Sequence, residues 1–188
     1  MIAIRENYIS ASEYLAAEEI AETKHEYVNG YIYAMAGASD NHVTITGNIF
    51  AALHNHLRNN NCRAYASDMK ANISTRNCYY YPDVMVTCYE RDRLCNTYKQ
   101  YPCLIVEVLS DSTEALGRGQ KFDNYQQLAS LQEYVLIDQN RELVNSFRRV
   151  EGGLWLLESY RSGSSLKLES LDLEIPLTEI YNKADINL

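Results

Sequence analysis

The stretch "YPCLIVEVLS", residues 101–110, sets the reading of the whole chain. Leu104, Ile105, Val106, Val108 and Leu109 crowd a single carboxylate, Glu107. An apolar run without alternation and rich in β-branched residues reads as a strand covered on both faces. Side chains alternate along a strand, so Glu107 shares a face with Ile105 and Leu109. Taking a carboxylate into such surroundings costs on the order of several kcal/mol unless something compensates it. Two kinds of answer are open. One is an Arg partner or a position at the strand's exposed end; the other is a divalent cation.

A second carboxylate stands upstream in "YYYPDVMV", residues 79–86. Pro82 suits the first residue of a strand, where its missing N–H does least harm. Pro-Asp is also a common turn pair. The segment "YERDRLCNTYKQYP" (89–102) then reads as the connection between neighbouring antiparallel strands, which brings Asp83 and Glu107 together at one end of a sheet. Two unpaired carboxylates repel, and a hard cation reverses that. Mg²⁺ suits such a pair, because it takes one or two carboxylates and completes its shell with water and phosphate oxygens. The main-chain carbonyl of Val108 is a further candidate ligand. Lys121 follows the Glu107 strand, beside Phe122. A helical Lys is ordinarily a solvated surface residue. From the start of the next helix, however, a long amine can lean back to the sheet end and meet developing negative charge.

The remaining chain supplies the frame. "SASE" (10–13) has capping-box spacing and opens a helix to about Ala21. "HEYVNGYIYAMA" reads as a hairpin turning at Asn29-Gly30. Val43, Ile45, Ile49, Leu53 and Leu57 approximate the apolar stripe of a helix over 40–60. Strands follow in "CRAYASD", "MKANIST", "YYPDVMVTC" and the Glu107 run. A helix over about 118–130 turns Phe122, Tyr125 and Ala129 inward, "EYVLID" returns as a strand, and "LVNSFRRV", "GLWLLESY" and "LKLESLDLEI" form a terminal meander with Gly152-Gly153 at a turn. This order predicts an α+β (mixed α/β) fold, a central mixed β-sheet flanked by helices with additional C-terminal strands, rather than repeated βαβ units.

At 188 residues the chain is read as one domain, 1–188, large enough for a substantial core. No apolar run is long enough to span a bilayer, and "MIAIRENYIS" lacks the apolar stretch of a secretory signal, so a cytoplasmic location and no membrane partner are expected. Five scattered cysteines without a CxxC pair read as free thiols rather than a structural zinc site. His54 and His56 lie two apart, which on a helix points them to different faces. The net charge of −8 argues against a strongly basic nucleic-acid binder. Residues 58–121 nevertheless hold nine Lys/Arg against seven Asp/Glu, so a polyanion site in the middle segment stays open.

Pro82-Asp83 followed by Glu107-Val108-Leu109 resembles the motif of the PD-(D/E)XK nuclease superfamily. Over nearly the whole chain, "EYLAAEE", "HEYVNGYIYAMAGAS", "YYYPDVMV", "LIVEVLSDSTE", "GQKFDNYQQL" and "EYVLID" resemble, in that order, the Uma-type restriction endonuclease family. Leu109 stands where the superfamily's lysine would be, and Lys121 fits a lysine moved to the following helix. The resemblance implies a restriction-endonuclease-like core in which Asp83, Glu107 and Lys121 are catalytic. Asp83, Glu107 and Val108 would bind Mg²⁺, with Mn²⁺ as a substitute. Glu26 resembles a first-motif acidic residue, a further ligand or a partner behind the ligands, and His42 resembles a histidine that recurs at the start of the next helix. Asp111 departs from the family's usual Pro, and Gly117 from its usual acidic residue. The resemblance further implies a Mg²⁺-dependent endonuclease acting on nucleic acid, DNA first, as a homodimer. The alternatives are a catalytically inactive nucleic-acid-binding module and a structural or regulatory homo-oligomer of the same fold.

Overall fold

The computed structural model describes residues 8–110 and 117–186. Helix α1 (Ala11–Glu18) begins at Ser10, whose hydroxyl accepts the Glu13 N–H while the Glu13 carboxylate accepts the Ser10 N–H. That reciprocal cap satisfies two helix-end donors that would otherwise lack partners. Strands β1 (His25–Val28) and β2 (Tyr31–Ala34) pair antiparallel. Their turn, Asn29-Gly30, has φ of 47° and 95°, the two positive values that a tight hairpin of this hand needs. Helix α2 (Asp40–His56) is capped by Ser39 and buries Ile45, Ile49 and Leu53. Val43 is 59% exposed, against its placement on the apolar stripe. It sits two residues before Ile45, and that spacing turns it to the far side of the helix.

Six strands form the central sheet: β3 (Arg63–Ala66), β6 (Val84–Thr87), β8 (Pro102–Leu109), β9 (Glu133–Asp138), β10 (Leu143–Arg149) and β11 (Trp155–Arg161). Their order is β11-β10-β9-β8-β6-β3, with β8 and β9 parallel and the other neighbours antiparallel. A second sheet, β2-β1-β5-β4-β7, adds β4 (Lys70–Ile73), β5 (Cys78–Tyr80) and the short β7 (Tyr98–Lys99). The single strand read over "YYPDVMVTC" is therefore two strands in two sheets. Pro82, without an N–H, falls in the break between them.

One face of the central sheet packs Val84, Val86, Leu104, Val106 and Val135 against Ile45, Ile49 and Leu53 of α2. The pair β12 (Ser165–Leu168) and β13 (Leu173–Pro176) and the short helix α4 (Leu177–Ile180) complete that cover. The other face sets Met85, Ile105, Leu109 and Tyr134 against Ala71, Ile73 and Tyr80 of the second sheet. Covering both faces explains why β8 is apolar without alternation.

The helix expected over 118–130 is shorter. A π turn, Gly117–Lys121, leads into α3 (Phe122–Tyr125), and the chain then bends so that Leu128 is buried and Ala129 exposed. At Gly117 the chain passes close to β8: a Cβ there would stand 2.8 Å from Leu109 Cδ2. The departure at Asp111 lies outside the described residues.

The cysteines correct another expectation. Cys62 and Cys88 form a disulfide, and Cys78, Cys95 and Cys103 are free. The pairing follows from register: Arg63 of β3 faces Thr87 of β6, so the next residue outward on each strand meets the other. His54 stacks on Phe50 while His56 Nε2 lies 2.8 Å from the Leu171 carbonyl, so the two rings have separate partners. Among the described residues no helix is long and apolar enough to cross a membrane.

Candidate active site

Glu107 lies near the end of β8, on the face shared with Ile105 and Leu109, and is 7% exposed. Its compensation is an amine. Lys121 Nζ lies 3.2 Å from both carboxylate oxygens, and the Tyr125 hydroxyl donates to Oε1 at 3.0 Å. Of the answers left open by the sequence, the structure shows a buried cationic side chain, and it is Lys rather than Arg. The π turn delivers it: Lys121 is its last residue, and Tyr125 follows one helical turn later on the same side.

Asp83 reaches the same place from β6. Val84 is paired with Val106 in the antiparallel register, so Asp83, one residue before β6, faces Glu107. Its carboxylate is fixed at both oxygens: His42 Nε2 lies 2.8 Å from Oδ1, and the Val108 N–H donates to Oδ2 at 2.7 Å. His42 sits in the first turn of α2, whose cap at Ser39 sets where that turn begins. The backbone of Asp83 is held as well, since its carbonyl accepts the Ser67 N–H at 3.0 Å.

The third carboxylate comes from the second sheet. Glu26 of β1 is 3% exposed; its Oε1 lies 2.8 Å from Lys121 Nζ and accepts the Tyr81 N–H at 3.3 Å. Lys121 itself is 8% exposed, with its Nζ 5.4 Å from the centre of the Tyr80 ring. Asn124 holds that ring by donating to its hydroxyl at 2.7 Å.

These contacts set the charges. Burial pushes the Glu107 carboxyl up; Lys121 opposes the shift, Asp83 and Glu26 add to it, and the result is about 7. Burial alone would depress the Lys121 amine, but Glu107, Glu26 and Asp83 outweigh it and hold its pKa well above the ordinary value. The two shifts are compatible. Three carboxylates act on one amine, so the amine stays charged while Glu107 carries the surplus repulsion. For His42, burial acts downward, while the hydrogen bond to Asp83 and the charges of Asp83 and Glu107 act upward and prevail, so the ring gains a proton more readily than usual.

The arrangement brings together Asp83, Glu107, Lys121 and Glu26, all four named from the sequence. Two contributors were not read as members. His42 was seen only as a recurring residue near the site, yet it touches Asp83 directly. Tyr125 was read as a core aromatic; its place four residues after Lys121 was the available signal, because residues four apart on a helix share a face. Val108 takes part through its N–H. Among the described residues, no three or more His, Cys, Asp or Glu side chains are grouped to hold a metal ion by themselves. Asp83 and Glu107 are instead a two-carboxylate donor set, the number that Mg²⁺ commonly takes from protein when water and phosphate oxygens supply the rest.

Comparison with other proteins agrees with this architecture. Residues 11–178 match the family described as "Uma2: Putative restriction endonuclease". Two proteins of Synechocystis sp. (strain ATCC 27184 / PCC 6803 / Kazusa) are similar along most of their length. The uncharacterized protein slr1290 is 40% identical over 173 residues, covering 92% of this chain and 91% of the relative. The uncharacterized protein sll1609 is 37% identical over 159 residues, covering 84% and 90%. Among solved structures, a "putative nuclease belonging to DUF820" from Anabaena variabilis superposes with a TM-score of 0.76 at 16% identity, covering 92% of this chain and 97% of that one. The mixed sheet is thus that of a nuclease-like fold, and the chain belongs to the Uma2 family.

Proposed function

We propose that this protein is a Mg²⁺-dependent endonuclease that hydrolyses phosphodiester bonds in nucleic acid, with DNA as the first substrate to test. The observation that carries the reading is the convergence of Glu107 and Glu26, from strands of two different sheets, on one buried lysine, with Asp83 opposite Glu107 in the β6–β8 register. Asp83 and Glu107 would hold the ion, with the Val108 carbonyl as a further donor and Mn²⁺ as a substitute. A divalent ion so held supplies Lewis-acid polarisation of a phosphoryl oxygen and eases deprotonation of water.

The chain's own residues do the rest. His42 and the Val108 N–H fix both oxygens of Asp83, so that the carboxylate does not reorient when charge arrives. Tyr125 orients Glu107 through Oε1. Glu26 holds Lys121 beside Glu107 and keeps it charged. A permanently charged amine is suited to stabilising negative charge on the phosphoryl group rather than to accepting a proton. In this reading residues 1–188 form a single domain, the protein acts in the cytoplasm, and it works as a homodimer so that two strands are reached.

One observation favours a second reading, a nucleic-acid-binding module without turnover. Lys121 already bridges Glu107 and Glu26, so the cluster is compensated without a metal. Incubating plasmid and single-stranded DNA with the protein and Mg²⁺ or Mn²⁺ separates the two. The first reading expects cleavage that chelation abolishes and that Glu107→Gln and Lys121→Met each reduce by at least two orders of magnitude. Cleavage that survives chelation and Glu107→Gln refutes it. Salt-sensitive binding without cleavage supports the second.

A further inference from the structure

Three sulfurs meet at the end of β6 remote from Asp83. Cys88, just past the strand, is bonded to Cys62 beside the edge strand β3. On its other side Cys88 Sγ lies 3.6 Å from the thiol of Cys103, the second residue of β8. The register explains the grouping. β6 lies between β3 and β8, and its irregularity between Val86 and Thr87 lets Cys88 approach both neighbours. Cys88 is exposed, Cys62 half-buried and Cys103 buried, with the Cys103 thiol 3.4 Å from the Val86 carbonyl.

We propose that Cys88 is a shared sulfur, and that its disulfide exchanges between Cys62 and Cys103. Cys103 Sγ loses its proton to solvent and attacks Cys88 Sγ. The Cys88–Cys103 bond forms as the Cys62–Cys88 bond breaks, the electron pair leaves on Cys62 Sγ, and Cys62 takes up a proton. No net oxidation occurs, so no further reagent is needed. The step moves the crosslink from an edge strand to the pair β6 and β8, the two strands whose far ends bring Asp83 and Glu107 together. It also replaces the buried thiol of Cys103 with the half-buried thiol of Cys62, available for exchange with small disulfides such as glutathione disulfide. Burial pushes the Cys103 thiol up to about 11, so its thiolate fraction, and with it the exchange, rises about tenfold per pH unit below that value.

The test is disulfide mapping on the full chain. Wild-type protein held at pH 7 or pH 9 is trapped with N-ethylmaleimide in acid and digested with trypsin. Residues 59–63, 77–91 and 100–118 then carry Cys62, Cys88 and Cys103 on separate peptides, apart from Cys95; Cys78 shares 77–91 with Cys88, and fragmentation of that peptide between Tyr79 and Thr87 assigns the linked sulfur to Cys88 and the maleimide to Cys78. Exchange gives 77–91 linked to 100–118 as well as to 59–63, appearing on the order of a hundredfold faster at pH 9 than at pH 7. Cys62→Ala, oxidised with glutathione disulfide, gives the Cys88–Cys103 link alone. The proposal is overturned if wild type at pH 9 keeps only the Cys62–Cys88 link. It is equally overturned if a cooperatively melting Cys62→Ala carries Cys88 only as a free thiol or a glutathione adduct. The wild-type arm stands even if the variant does not fold.

Discussion

Replacing Lys121 with Met removes the one amine among the described residues within salt-bridge distance of both Glu107 and Glu26 while keeping most of the side-chain volume. In the wild type that amine lies 2.8 Å from Glu26 and 3.2 Å from Glu107, and all three residues are under a tenth exposed. Removing one partner of a buried pair leaves an uncompensated buried charge and costs about 3–5 kcal/mol. For a chain of this size that corresponds to a fall in Tm of about 6–20 °C. The loss has a definite pH sign. Burial raises the Glu107 pKa in the folded state, so its stabilising contribution is full below the unfolded-state value of 4.5 and disappears as pH rises through about 7. Without Lys121, the largest influence that lowers the Glu107 pKa is gone, and the folded-state value moves higher still. The deficit of the variant relative to wild type is therefore largest at pH 8 and shrinks toward pH 5, where Glu107 is protonated in both. Urea unfolding followed by circular dichroism from pH 5 to pH 8 measures this. A deficit below about 1 kcal/mol at every pH, the size of a solvent-screened surface pair, would refute the desolvated cluster.

Other expectations follow from single contacts. Tyr125→Phe deletes the hydrogen bond to Glu107 Oε1 and should lower stability by about 1.5–3 kcal/mol in denaturant titration, the usual worth of a hydrogen bond to a charged group. His42→Ala frees Asp83 Oδ1 and should weaken Mn²⁺ binding by about 10- to 100-fold in calorimetry with little change in Tm, as for residues that orient metal ligands. Dithiothreitol, by opening the loop between Cys62 and Cys88, should destabilise the protein by about 3 kcal/mol, and an unchanged melt would contradict that crosslink. Leu53→Ala, at a fully buried position between α2 and the central sheet, should cost about 2–5 kcal/mol in the same unfolding assay.

The centre of the fold was legible because its signals are local. An unbroken apolar run marks β8, and the hairpin spacing from Asp83 sets β6 beside it in the observed register. The rest depends on which strands become neighbours. Nothing in "YYPDVMVTC" announces that Tyr80 and Val84 belong to different sheets, because both halves are apolar and Pro82 is compatible with either reading. Cys62 and Cys88 are 26 residues apart, and only the pairing of β3 with β6 brings them face to face. The helix expected after Glu107 is too long because Ala129 continues the spacing of Phe122 and Tyr125 past the point where the chain has already turned. Tyr125 looked like core because it is core, and its hydroxyl also reaches the one carboxylate buried beside it.

Two of the connections that pass between the sheets, from β3 to β4 and from β5 to β6, are tied to each other by the Ser67 N–H to Asp83 carbonyl bond. Because Glu26 comes from one side of that seam and Asp83 and Glu107 from the other, neither layer holds all three acids. Any fluctuation that slides one layer over the other dismantles the constellation at once. The chemistry should therefore be lost together with the docking of the layers, and an isolated fragment carrying one layer should show none of it.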